Sequence, residues 1–344
     1  MPVRKNTTFT LFLVSLLLVT FLAGCSLINR TPASTPTPQA TPLPPTPTSA
    51  PAELLWVSAQ TSGNDTLVQT MTDFASANSL QFRTLTALTA ADLTAGTKIA
   101  VLQTAPDDLS SLAASASGTQ FIVLGTGNPG NLNNVSSIQA KPEDEAFMAG
   151  YLTMLISQDW RAGALVTNDG PLGSAYADDF ANGSKFVCGK CNAFYAPLTS
   201  FPAVASEASS SPASTWDNDA AALDQDWLSA AFLDPAAATA DVAGALNLQT
   251  LNATTTGESI YLLSTDAAPQ DGSITWAALL TPNYAAALKT MLPQVLGGQG
   301  NLSASAQIGL TDIDADIVSP AKQDLFNQTA ASLAAGDIIS TSVQ

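Results

Sequence analysis

The chain has 344 residues, with 11 Lys and Arg against 28 Asp and Glu, no His and 3 Cys. Without imidazole it cannot assemble a Ser-His-Asp triad, a Cys-His pair or a His-ligated zinc site. A net charge of −17 repels phosphate backbones and sets nucleic acid aside as a partner, while 46 % hydrophobic and 11 % charged residues describe a folded chain rather than an acidic disordered one.

Arg4 and Lys5 precede an apolar run from Leu11 to Ala23, the order of charge and short apolar core found in secretory signals. The run is too short to cross a bilayer as a mature helix. It ends in Leu22-Ala23-Gly24-Cys25, which resembles the lipobox of bacterial lipoproteins. That resemblance implies that 1–24 is removed, that Cys25 carries a diacylglycerol, and that the protein is extracytoplasmic and held to the cell membrane. Without Arg4 and Lys5 the net charge becomes −19. From Thr31 to Ala52 the chain is uncharged and rich in Pro, Thr, Ser and Ala. Such a segment has no core to build and favours polyproline II, in which its 22 residues span up to roughly 70 Å, so 25–52 reads as a tether.

From Glu53 onward, short apolar runs alternate with longer amphipathic segments, the rhythm of an α/β fold. Buried strands are predicted at Leu54–Ser58, Lys98–Gln103, Phe121–Gly125, Gly163–Thr167, Asp241–Leu246, Ser259–Ser264 and Ile274–Leu280. Helices are predicted at Asp65–Ala77, Glu143–Ser157, Ser174–Phe186, Asn218–Ala230, Asn283–Leu296 and Pro320–Ala335. Glu143, Asp144 and Glu145 open the second of these where negative charge suits the helix dipole, and Gly297 and Gly336 are C-terminal stops.

The segment Lys141-Pro-Glu-Asp-Glu-Ala-Phe-Met-Ala-Gly-Tyr-Leu-Thr-Met-Leu-Ile-Ser157, with Arg161-Ala-Gly-Ala-Leu-Val166 after it, resembles the basic membrane protein family of ABC-transporter substrate-binding lipoproteins. Phe180-Ala-Asn-Gly183 with Lys185 and Phe186, and Ser319-Pro320 followed by Ala334-Ala-Gly-Asp337, resemble further motifs of that family in the same order. The resemblance implies a type I periplasmic-binding-protein fold: two Rossmann-like lobes joined by crossover strands and closing on a ligand. The expected lobes are 53–160 with a return near 267–300, and 161–266 with 301–344.

The family's nucleoside-binding motifs transfer poorly. Thr61-Ser-Gly-Asn-Asp-Thr-Leu-Val68 keeps Asp65 and Thr66 but has Leu67 and Val68 in place of Phe and Asn. The family's acidic residue after the third strand falls near Gly125, its Gly-rich turn is missing around Ala245–Thr250, and its later Lys falls near Pro282. Asp266, ending Tyr261-Leu-Leu-Ser-Thr-Asp, matches the ribose-contacting Asp. Because α/β folds collect ligands at strand C-termini, Asp65, Thr66, Thr104, Thr126, Asp169 and Asp266 are the expected ligand residues, although each Asp alone is as readily a turn or cap. Trp276 and Trp216 are the tryptophans placed near the cleft; Trp is otherwise common in cores.

Cys188-Gly-Lys-Cys191 leaves two thiols in an oxidising compartment, for which a disulfide is the arithmetic default. A redox centre needs its first Cys at a helix start after a strand. Here Phe180–Phe186 reads as helix and Asn192–Tyr195 as strand, the reverse order. Zinc would have to recruit carboxylates. Asp312, Asp314 and Asp316 alternate with apolar residues as on a solvated strand edge, and they lack the Gly and Glu of a calcium loop. The expected function is therefore a monomeric, non-enzymatic, cofactor-free protein that binds a small ligand and delivers it to ABC permease subunits. The alternatives are a surface sensor or interaction module that has lost the transport ligand, and a surface hydrolase supported only by loose Asp pairs.

Overall fold

The computed structural model describes residues 51–60, 64–125, 132–196, 198–246, 260–265 and 275–341. They lie within one compact unit, Ser49–Gln344. The chain starts with β1 (Glu53–Val57), α1 (Asp65–Ala77), β2 (Gln81–Leu85), β3 (Thr97–Leu102), α2 (Leu109–Ser115), β4 (Gln120–Leu124) and β5 (Val135–Gln139). A second series follows: α3 (Pro142–Ile156), β6 (Ala162–Thr167), α4 (Ala175–Cys188), β7 (Ala203–Glu207), α5 (Ala213–Asp224), β8 (Ala230–Leu233), α6 (Ala240–Leu246), β9 (Tyr261–Ser264) and β10 (Thr275–Pro282). The described chain ends with α7 (Tyr284–Leu296), β11 (Ser303–Ser305), β12 (Ile308–Thr311) and α8 (Pro320–Ala335).

These strands make two six-stranded sheets, ordered β2-β1-β3-β4-β5-β11 and β7-β6-β8-β9-β10-β12. Every pairing is parallel except β10 with β12. Both faces of each sheet are covered, so the central strands read as unbroken apolar runs such as Leu54-Leu-Trp-Val57 and Ala100-Val-Leu102. Met71, Leu288 and Leu292 pack on one face of the first sheet, and Leu109 and Leu112 on the other. In the second sheet, Phe147, Phe180 and Phe326 fill one side and Trp216, Leu223 and Val242 the other.

The chain crosses between the sheets after β5, after β10 and after β11. The three crossings lie side by side: Ala306 N donates to Gln139 O (2.8 Å) and Asn283 N to Gln307 O (2.8 Å). The lobe boundaries thus differ from those expected. β10 belongs to the second sheet, while α7 and β11 return to the first and α3 packs on the second. Helix α3 is buried on nearly all sides, which is why it carries so little polar surface beyond its first turn.

The motifs Ala149-Gly150 and Phe180-x-x-Gly183 turn out to be the two halves of one contact. A Cβ added to Gly150 would land on the Phe180 carbonyl oxygen, and one on Gly183 would land on the Phe147 carbonyl oxygen. The backbones of α3 and α4 touch there. Ser184 Oγ donates to Gly150 O (3.1 Å) across the same junction.

Several local expectations are corrected. Asp241–Leu246, expected as a strand, is helical: Thr239 Oγ1 accepts from Val242 N (3.3 Å) and Asp241 sits in the first turn. The strand of this region is instead Ala230–Leu233, which the helix predicted over Asn218–Ala230 ran into. That helix begins at Ala213 after Pro212 and stops at Asp224. Alanine, common in both segments, fits either period. β12 ends at Thr311, and Asp316 N donates to Asp314 Oδ1 (2.9 Å) in a turn, so Asp312, Asp314 and Asp316 are not ranked along a strand. Around the cysteines there is no strand from Asn192 to Tyr195; the pairing is a single antiparallel bridge between Asn192 and Ser200.

Candidate functional site

The C-terminal ends of the first sheet face a cleft of about 900 Å³, within the size range of small-molecule sites. Its first wall comes from the segments after β1, β3 and β4: Gln60, Asn64, Thr66, Gln103, Thr104 and Gly125. The opposite wall is built from the crossing at Thr281–Tyr284, the end of β12 and Asn327 of α8.

The first wall is a neutral network of amides and hydroxyls. Gln103 Nε2 donates to Gln60 Oε1 (2.7 Å), Asn64 Nδ2 donates to Ser58 Oγ (3.3 Å), and the Ser58 hydroxyl meets Gln103 Oε1. Gly125, directly after β4, has φ +95, a conformation that L side chains rarely adopt, and a Cβ there would stand 4.0 Å from the Tyr284 hydroxyl.

The Tyr284 hydroxyl leads from this cleft to an acidic cluster. Burial, and next the charge of Glu145, push the Tyr284 hydroxyl above its ordinary range. Glu145, in the first turn of α3, is itself pushed up to about 7, first by burial and then by the nearby charge of Asp234. Asp234 ends β8. Its Oδ2 accepts from Thr167 Oγ1 (3.0 Å) at the end of β6, and its Oδ1 accepts from Ala236 N (3.1 Å). Tyr176, near the start of α4, stacks on Phe232 at 6.2 Å between ring centroids. Its hydroxyl is fully buried with no hydrogen-bond partner and is raised by burial, then by Glu145 and Asp234. Glu145, Asp234, Tyr176 and Thr167 thus converge from α3, β8, α4 and β6.

Of the residues expected at the site, Thr66 and Thr104 line the cleft. Asp65 is the exposed first residue of α1 beside it. Asp169 is exposed and accepts from Ser209 N and Ser209 Oγ (both 2.9 Å), tying the loop after β6 to that after β7; the bonds from Ser209 lower its carboxyl. Trp276 packs into the second lobe's core under α5 and α6, with its Nε1 buried and unpartnered, and Trp216 is 2 % exposed in the same core. Thr126, Asp266 and Cys25 lie outside the described residues, as do the turns around Ala245–Thr250 from Asn247 on. Cys188 and Cys191 are joined by a disulfide at the end of α4, with Cα atoms 5.0 Å apart.

Sequence reasoning missed Glu145, Asp234, Tyr176, Gln60 and Gln103. Glu145 was accounted for by the helix dipole. Asp234 followed a strand that went unread, its first residue taken as the end of the helix expected over Asn218–Ala230; Ala230-Ala-Phe-Leu-Asp-Pro235, read as strand and turn, would have marked it.

No protein-family model and no curated protein sequence matches the chain. Solved structures do. An ABC transporter system solute-binding protein from Conexibacter woesei is similar over 84 % of this chain and 98 % of its own, with TM-score 0.57 and 13 % identity. A sugar ABC transporter sugar-binding protein from Bacillus halodurans is similar over 78 % of this chain and 99 % of its own, with TM-score 0.53 and 14 % identity. A transcriptional activator of the comK gene from Bacillus halodurans reaches TM-score 0.53 at 10 % identity, over 84 % of this chain and 99 % of its own. At these identities the likeness is one of architecture, and the fold of this chain is the two-lobed α/β fold of type I periplasmic binding proteins.

Proposed function

We propose that this chain is a lipid-anchored, extracytoplasmic solute-binding protein that captures a small polar molecule between its lobes and delivers it to an ABC permease. The observation that carries the reading is the cleft itself: strand C-termini of the first lobe face the second lobe across three adjacent, hydrogen-bonded crossings. Two lobes joined by such crossings can close like jaws on a ligand. Solute-binding proteins of ABC transporters among the structural neighbours support the same reading. The proposal includes the anchor at Cys25, a monomeric chain without a cofactor, and distant membership of the basic membrane protein family. In it, Thr66 and Thr104 contact the ligand from the first lobe, with Thr126 and Asp266 joining them from the segments after β4 and β9.

The test is a thermal-shift screen of the full-length chain against nucleosides, sugars and small amines. A ligand at 100 times its Kd adds roughly 2.7 kcal/mol, a shift easily read in a protein of this size. A screen without any shift would count against solute capture. For the anchor, Cys25→Ala should abolish lipid attachment and leave the leader uncleaved, read by mass spectrometry; a parent chain whose mature N-terminus is unlipidated or lies elsewhere would remove Cys25 from the reading.

A second reading, a surface sensor or interaction module on the same fold, draws on the loop beside the disulfide. It exposes Phe194 at 80 %, Leu198 at 74 % and Tyr195 at 54 %. Deleting those side chains while leaving ligand affinity and transport unchanged, yet abolishing a signalling output, would favour it.

A further inference from the structure

We infer that the ligand carries a positively charged nitrogen, an amine or guanidine, which sits against Glu145 and Asp234 with the Tyr176 hydroxyl as a further acceptor. This rests on the solute-binding reading and specifies the chemical class of its ligand.

The two carboxylates repel one another, and the charges acting on Glu145, Tyr176 and Tyr284 are those of Glu145 and Asp234, with no Lys or Arg among them. Sheltering Glu145 beside a second acid without a cation costs stability, because burial penalises its charge and the charge of Asp234 adds to that penalty instead of relieving it. Acids raised by burial and by a like charge cluster at functional sites, where a bound cation relieves both effects. Independently of the acids, the Tyr176 hydroxyl is fully buried and unpartnered, on a ring stacked against Phe232, two residues before Asp234. A buried polar atom of this kind marks a bond still to be made. An ammonium has three N–H donors and no acceptor. Glu145, the Asp234 oxygen shared with Thr167, and the Tyr176 oxygen offer three acceptors from three different elements. The guanidinium fork could engage the two carboxylates at once.

The neutral wall of the cleft, which shares Tyr284 with the acidic cluster, fits the remainder of such a molecule. Its amides and hydroxyls can bond to polar groups of either kind, and Tyr284 connects the two regions, its hydroxyl standing by Gly125 and feeling the charge of Glu145. The protein's net charge of −17 adds a long-range field that draws cations toward the surface.

Putrescine, arginine, glucose, ribose and adenosine would be added at equal ionic strength to the full-length chain, with NaCl and CaCl2 as controls, and unfolding followed by heat. Titration calorimetry would then give affinities. Putrescine or arginine is expected to raise the melting temperature at millimolar concentration beyond the NaCl control. Glu145→Gln and Asp234→Asn should each weaken that binding at least tenfold, and Tyr176→Phe by a smaller factor, with all three variants folded by circular dichroism. A shift from glucose, ribose or adenosine that survives Glu145→Gln and Asp234→Asn would overturn the assignment of charge while leaving solute binding in place. A shift produced by CaCl2 and reversed by EDTA would put a metal ion where the nitrogen is proposed and overturn it as well. Absence of any shift with putrescine and arginine overturns it; silence from all the probes would count against both readings.

Discussion

The two sides of the binding region are built from the same kind of sheet but do different chemistry. In the first lobe, Gln103 bonds to Gln60 and to Ser58, and Ser58 to Asn64, so the wall is neutral and its amides are engaged with one another through Ser58. In the second, Glu145 and Asp234 repel and Tyr176 is left unpartnered. A satisfied wall supplies shape and general polarity, whereas an unsatisfied one stores a demand for a particular charge. The lobe that stores the demand is also the one with its helices in backbone contact at Gly150 and Gly183, where rigid packing can hold two like charges close together.

The largest expected effect breaks that rigidity. Gly150→Leu must separate α3 from α4, because the new side chain has only the Phe180 carbonyl to displace. Overpacking of a core commonly costs about 1–3 kcal/mol, and a backbone neighbour that cannot rotate away places this variant at or above the top of that range. A fall in melting temperature of roughly 6 °C or more is expected; calorimetry showing an unchanged transition would mean that the helices do not touch as described.

Next, Glu145→Gln separates the acidic side from the neutral one by its pH dependence. A carboxyl ordinarily near 4.5 and held near 7 in the folded state keeps its proton while the unfolded chain has lost it. In the ligand-free protein this contribution to stability is full below about pH 4.5, declines as pH rises toward 7, and is gone above it. Glutamine has no charge to bury, so the variant should match the parent near pH 4 and exceed it at pH 8 by about 2 kcal/mol, after allowing for partial exposure. Asp144, Asp179 and Asp219 are raised by burial in the same direction, and they affect both proteins alike. Parallel stability curves from pH 4 to pH 8 would show that Glu145 is not held in its neutral form.

Smaller effects belong to the satisfied wall. Gln103→Ala removes one donor and one acceptor facing the cleft; a neutral hydrogen bond contributes about 0.5–1.5 kcal/mol, so ligand affinity should fall by about tenfold at most. A loss of a hundredfold or more would shift recognition from the acidic side to the amides. Smallest of all, Asp169→Ala should leave affinity unchanged and lower stability by less than about 1 kcal/mol, since its two bonds to Ser209 are exposed to water. Weakened binding in that variant would return Asp169 to the site.

How far the sequence could be read depended on periodicity. Leu54–Val57, Thr97–Leu102 and Ala162–Thr167 are apolar runs with no helical alternative, and they were placed to within a residue or two. The strands at Gln81–Leu85 and Ala203–Glu207 were not anticipated; they lie at the outer ends of their sheets, where one side lacks a neighbour and the sequence stays mixed. Alanine-rich stretches defeated the method, exchanging helix for strand around Ala230 and Asp241, because a methyl group suits both periods.

By itself the sequence determined the α/β class, several central strands such as Leu54–Val57 and Ala162–Thr167, and the glycine motifs, since burial on both faces and close helix approach each demand particular residue types at particular spacings. It could not say that Gly150 and Gly183 meet, nor that Glu145, Tyr176 and Asp234 converge. Those residues are separated by tens of positions, and their chemistry arises only where α3, α4 and β8 are brought together. An isolated Glu in a first helical turn and an Asp before Pro each have an ordinary local explanation. It took the tertiary fold to set their charges against one another out of water, and that mutual burial is what makes them candidates for binding.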